Sequence, residues 1–240
     1  RSESTDLSAQ YPDRLKALVA AWFEEAEKNF VLPLDDRSAI EVLGEARPSA
    51  EKPAERYIYY PGAAPVPEGV AVNIRGRSYK ILANVEIDGP SCSGVIFAHG
   101  SRFGGHTLFI KDRRLHYVYN FLGIAPEQEF VSGVLPAGKH TLGMEFAWEK
   151  VGDYGVSYGT TRLFVDDKAV AEGPMKTQPG KFTLSGDGLC VGFDSADAVS
   201  QQYEAPARFT GGTIFGVGVT VEKAQYEDLE AEARRALIRQ

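Results

Sequence analysis

Four histidines, two cysteines and a few carboxylate clusters are the side chains of this 240-residue sequence whose chemistry could extend beyond packing. His99 and His106 flank the glycine-rich stretch AHGSRFGGH, with Arg102 between them. Loops carried on a rigid sheet often hold binding groups, so these three residues are the candidate contact cluster; an ordinary hairpin is the alternative. No H-x-H or H-E-x-x-H pairing involves these histidines or His116 and His140, so no metal-binding pair is spelled out. Gly100, Gly104 and Gly105 do not open a helix, which excludes a phosphate cradle and reads as tight turning between strands.

The carboxylates divide in the same way. Asp187, Asp194 and Asp197 in GDGLCVGFDSADAVS are weak calcium candidates, because loop carboxylates and carbonyls suit that ion. No full ligand loop accompanies them, and lone aspartates commonly serve turn geometry. Glu145 and Glu149 could suggest a glycosidase acid and base, but their spacing puts both on the polar face opposite Met144, Phe146 and Trp148. Tyr57, Tyr59, Tyr60, Tyr154 and Tyr158 could stack on sugar faces, but most tyrosines at such places are half-buried packing residues with a wet hydroxyl. Serine in a G-x-S-x-G context and the G-x-x-x-x-G-K-[ST] loop are both missing. No catalytic residue is assigned.

Three kinds of element must position these groups. PDRLKALVAAWFEEAEKNF (12–30) predicts an amphipathic helix, with Pro12 and Asp13 suited to its first turn. Leu15, Leu18, Val19, Trp22, Phe23 and Ala26 form its apolar stripe, which either caps the chain's own core or belongs to a preceding domain. Residues 38–70 read as a proline-broken connector containing one short strand, ERYIYY (55–60). From 71 to 224 the apolar period becomes two: Tyr79 to Ile87, Leu115 to Phe121, Leu142 to Trp148, and Phe215 to Val221. Turn signals separate these runs at Gly104-Gly105, Lys111-Asp112, Ala137-Gly138, Asp166-Asp167-Lys168 and Gly186-Asp187-Gly188. This predicts a mostly β fold, an antiparallel sandwich or barrel whose strands each bury one face. Residues 225–240, rich in Ala, Glu and Arg, predict a short terminal helix.

Composition narrows the function. The formal charge of −7 and the lack of a basic run disfavour a nucleic-acid footprint. At 43% apolar and 25% charged residues, the chain has the balance of a soluble globular protein. No stretch approaches the roughly 20 apolar residues of a membrane-spanning helix. Cys92 and Cys190 lie in neither a C-x-x-C nor a zinc-ligand pattern, leaving one disulfide or two buried thiols open. Arg1 in place of Met, without signal-peptide features, suggests a processed product or a piece of something longer.

GVIFAHGSRFGGHTLFIKDRRLHYVYNFLG (94–123), LPAGKHTLGMEF (135–146), LFVDDKAVAEG (163–173) and FTGGTI (209–214) together resemble the C-terminal region of large bacterial arylsulfatases. DLSAQYPDRLKALVAAWFEEAEKNFVLPLDDR (6–37) resembles the stretch that closes the sulfatase domain in those enzymes. The resemblance covers all but about the last 20 residues. It implies a concanavalin- or laminin-G-like jelly-roll sandwich (71–224) that follows a sulfatase tail (1–37) and packs beside the catalytic domain. It also implies a parent enzyme that hydrolyses sulfate esters with a formylglycine hydrate and calcium, in the bacterial cytoplasm or periplasm.

The nucleophile of such enzymes arises in a C/S-x-P-x-R motif. Cys92 is followed by Ser93-Gly94-Val95 and Cys190 by Val191-Gly192-Phe193, so neither matches, and the chain alone is expected to be inactive. Arg102, with His99 and His106, would then contact a sulfated small molecule or glycan, its guanidinium pairing with the anion. Asp112-Arg113 departs from the family's Asp-Gly hairpin, and Asp35-Asp36-Arg37 matches its LDDR, read as a salt-bridged turn. The other function consistent with the sequence is a free-standing carbohydrate-binding or interaction module.

Overall fold

The computed structural model describes residues 6–32, 34, 55–179, 184 and 186–222. The chain divides into two units, Arg1–Ser49 with Asp228–Gln240, and Ala50–Glu227. The expected terminal helix at 225–240, the Asp35-Asp36-Arg37 turn and most of the connector lie outside the described residues.

In the first unit, α1 spans Pro12–Lys28. Pro12 takes the position where a missing N–H costs nothing, and Asp13 and Lys28 complement the two ends of the dipole. Asn29 closes the helix: its backbone N–H and its Nδ2 both donate to the Glu25 carbonyl, at 3.0 and 2.7 Å. Phe30 then turns into the left-handed region at φ 56°, and the Val31 N–H returns to the Ala26 carbonyl. Leu15, Leu18, Val19, Trp22 and Phe23 of the stripe are exposed, while Ala26 is buried.

The second unit is an antiparallel β-sandwich. One sheet runs in the order β1 (Arg56–Tyr59), β13 (Gly212–Val221), β2 (Tyr79–Ile87), β7 (Gly138–Val151), β8 (Ser157–Val165), β9 (Lys168–Thr177). The other has the order β10 (Leu189–Val191), β3 (Gly94–Ser101), β4 (Gly104–Lys111), β5 (Arg114–Asn120), β6 (Gln128–Val134). A small pair, β11 (Phe193–Asp194) and β12 (Ala207–Arg208), adjoins them. The aromatic run in the expected connector is thus an edge strand, β1, paired with β13.

Period-two alternation accounts for the core. Tyr79, Ile81, Ala83 and Val85 of β2 and Leu142, Met144 and Phe146 of β7 point into the same apolar cluster as Phe97, Leu108, Leu115 and Tyr117. On the opposite face of the six-stranded sheet, register sets Lys80 beside Glu145, Glu145 beside Arg162, and Arg162 beside Glu172. Glu145 is therefore one rung of an alternating charge ladder, and Glu149 accepts from Thr160 Oγ1 at 2.7 Å.

Several sequence expectations are corrected. Phe215 does not share the inward face with Val217, Val219 and Val221; it is 48% exposed, because the pairing shifts between Ile214 and Gly216 and Ile214 takes the inward place. The turn between β3 and β4 is Arg102-Phe103, with Gly104-Gly105 already paired in β4. Strands β3, β4 and β5 are buried on both faces rather than one. Val95, Ala98, Phe109 and Val118 face away from the sandwich interior and pack with Val199 and Tyr203 from the loop between β11 and β12 and with Ala207 of β12. Cys92 and Cys190 are separate buried thiols, and burial pushes both up to about 11.

His99 and His106 sit opposite one another in adjacent strands, 2% and 0% exposed, and face the interior. His106 Nδ1 lies 3.3 Å from the Tyr117 hydroxyl, which in turn lies 2.9 Å from that of Tyr79. Both ring nitrogens of His99 and Nε2 of His106 have no hydrogen-bond partner among the described residues. Burial, helped by the Arg75 charge, lowers His99 from its ordinary 6.5 to about 4, and burial with His99 holds His106 well below that range.

The unfolded chain takes up a proton on His99 near 6.5 and the folded chain only near 4, so the stability of the neutral form is complete above 6.5 and is lost as pH falls through 4. Replacing His99→Phe is expected to reduce the fall in urea midpoint across that window. An unchanged slope would mean the imidazole carries no such linkage.

Candidate functional site

The cover over the outer face of the five-stranded sheet also forms a cleft. Asp194, the last residue of β11, is 2% exposed; it accepts from Tyr203 Oη at 2.6 Å and from the Val199 N–H at 3.0 Å. The Tyr203 hydroxyl lies 3.1 Å from Thr107 Oγ1 on β4, which ties the loop to the sheet. Burial raises the Asp194 carboxyl against these hydrogen bonds, and burial with Asp194 raises the Tyr203 phenol. Asp187 accepts the Ala196 and Asp197 N–H groups at 2.6 and 2.9 Å, and these bonds hold its carboxyl below the ordinary range.

The far side of the loop is fixed from β5 and the segment after it. Asn120 Nδ2 donates to the carbonyls of Arg102 and Val199, and its Oδ1 accepts from Gly123 N–H. Glu127 accepts from Ser200 Oγ at 2.7 Å and from Gln201 N–H at 2.9 Å. Between these anchors opens a cleft of about 420 Å³, lined by Arg102, Asn120, Glu127, Asp197, Gln201 and Glu204 among others. Arg102 Nε stands 3.5 Å from Asp197 Oδ1 across it, and both side chains are partly solvated. Arg102 also lies over the ring of Phe103, 4.8 Å from its centroid, and Phe103 is 66% exposed at the turn.

The structure therefore separates the three residues of the expected cluster. Arg102 reaches the cleft; His99 and His106 turn inward because their alternation in β3 and β4 is the interior one. The three aspartates are brought near one loop but not to one point: Asp187 and Asp194 serve backbone and tyrosine donors, and Asp197 meets Arg102. No group of three or more His, Cys, Asp or Glu able to hold a metal occurs among the described residues.

His116 stacks on Phe109 and meets Glu129 at 2.7 Å; His140 meets Asp166 at 3.1 Å. Tyr57 and Tyr59 pack against the core, whereas Tyr60 and Tyr154 are exposed. A second, smaller cleft of about 260 Å³ lies around Lys139, His140 and Phe215.

Sequence reasoning missed Phe103, Asn120, Glu127, Gln201 and Glu204. The one local signal was an aromatic between Arg102 and a glycine pair at a hairpin turn. The Glu127 carboxylate and the Tyr203 hydroxyl at the cleft are occupied by the loop they hold.

No protein-family model matches the sequence, and no curated protein matches it. Among solved structures, domains LG4-5 of the mouse laminin α1 chain are similar at 13% identity, covering 72% of this chain and 42% of that one, with a TM-score of 0.45. The botulinum neurotoxin type G receptor-binding domain is similar at 9% identity over 68% of this chain and 38% of its own, TM-score 0.36. The receptor-binding domain of botulinum neurotoxin D has 8% identity over 77% and 45%, TM-score 0.38. The chain spans less than half the length of each of these structures.

Proposed function

We propose that the β-sandwich is a carbohydrate-binding module whose site is the cleft beneath the Arg102-Phe103 turn. The observation that supports this is a polar cleft whose frame is already fixed, with an exposed aromatic, Phe103, next in sequence to the lining residue Arg102. A sugar presents hydroxyls around an apolar ring face. Arg102, Asp197, Gln201 and Glu204 offer donors and acceptors to the hydroxyls, and Phe103 offers a ring to the face. The frame is held by Asn120, Glu127 and Asp194, so little ordering of the loop is required on binding.

A second reading, the accessory portion of an arylsulfatase, is supported by the sequence resemblance and by the exposed apolar stripe of α1, which suits a helix that docks on a neighbouring domain. In that reading calcium and formylglycine belong to the catalytic domain. The cysteines here lack the required motif, and the Asp187, Asp194 and Asp197 carboxylates are turned to protein donors. An antibody against this chain should then detect a native protein far larger than 26.2 kDa; a band at that mass would remove the attached catalytic domain.

Screening the chain against an oligosaccharide array tests the first reading. Binding is expected, and Phe103→Ala should weaken it about tenfold, the scale of one lost aromatic contact with its buried area. Undiminished binding by Phe103→Ala would move the site elsewhere.

A further inference from the structure

Resting on the carbohydrate reading, we infer that the cleft selects neutral, hydroxyl-rich oligosaccharides and discriminates against sulfated ones. Glu127, Asp197 and Glu204 line the cleft with a single guanidinium, Arg102, among the described residues, and that guanidinium already faces Asp197. Behind the lining stand two further carboxylates, Asp187 and Asp194, whose hydrogen bonds run to loop N–H groups and to Tyr203. The nearby Lys111 ammonium is committed to the Gln202 carbonyl at 2.8 Å.

Among the lining residues a sulfate placed here gains one cation, Arg102, and must compete with Asp197 for it. It also meets the repulsion of the other acids, in a chain whose formal charge is −7. A hydroxyl meets the opposite situation. It donates to a carboxylate with a charge-assisted bond and accepts from Arg102 or the Gln201 amide, leaving the Arg102–Asp197 pair intact. On this inference Arg102 serves to orient Asp197 rather than to capture a sulfate.

The test compares pairs of oligosaccharides that differ by one sulfate ester, titrated calorimetrically into the full chain. The neutral member should bind at least about fivefold more tightly at low salt, and the gap should narrow as salt screens the carboxylates. The double change Asp197→Asn with Glu204→Gln, nearly isosteric and at partly solvated positions, should close most of the gap by improving the sulfated ligand. Equal or tighter binding of the sulfated member to the unaltered chain overturns this inference while leaving the carbohydrate reading standing. Binding of neither member of any pair overturns both. Should the double variant fold poorly, the comparison on the unaltered chain decides alone.

Discussion

The five-stranded sheet carries apolar side chains on both faces, and its outer face must be covered. Val95, Ala98, Phe109 and Val118 would otherwise form an exposed apolar patch on a flat sheet, an aggregation hazard. The cover is the loop between β11 and β12, and a loop can lie on a sheet only if its polar backbone is satisfied there. Asp194, Tyr203 and Thr107 provide that from beneath, Asn120 and Glu127 from the side. Once these anchors are fixed, the remaining gap between the loop and the Arg102-Phe103 turn is the cleft. The site is a by-product of how a two-faced apolar sheet is shielded.

Much of the fold was legible from local pattern. Tyr79 to Ile87 and Leu142 to Trp148 alternate cleanly because one side of their sheet meets the core and the other meets water, and they became β2 and β7. Pro12, Asp13 and the apolar stripe set α1 within two residues of its expected end. Phe215 misled because a bulge one residue away inverts its face, and a bulge depends on the partner strand rather than on the strand itself.

The candidate site was less legible for the same reason. Arg102 could be found as the charged tip of a hairpin. The inward turn of His99 and His106 follows from register with β5 and β10, and Glu127 meets Ser200 and Gln201 across 73 and 74 residues of sequence. Contacts of that range leave no periodicity to read. Asp187, Asp194 and Asp197 look like a ligand set in one dimension; in three, each is directed to a different donor.

Amide hydrogen exchange of the full chain, with and without its tightest-binding oligosaccharide, tests carbohydrate binding at this cleft most directly. Slowed exchange confined to residues 102–103, 120–127 and 196–205 is expected. Protection centred instead on the outer face of the six-stranded sheet, around Lys139, His140 and Phe215, would contradict it, as would binding that protects none of the cleft amides.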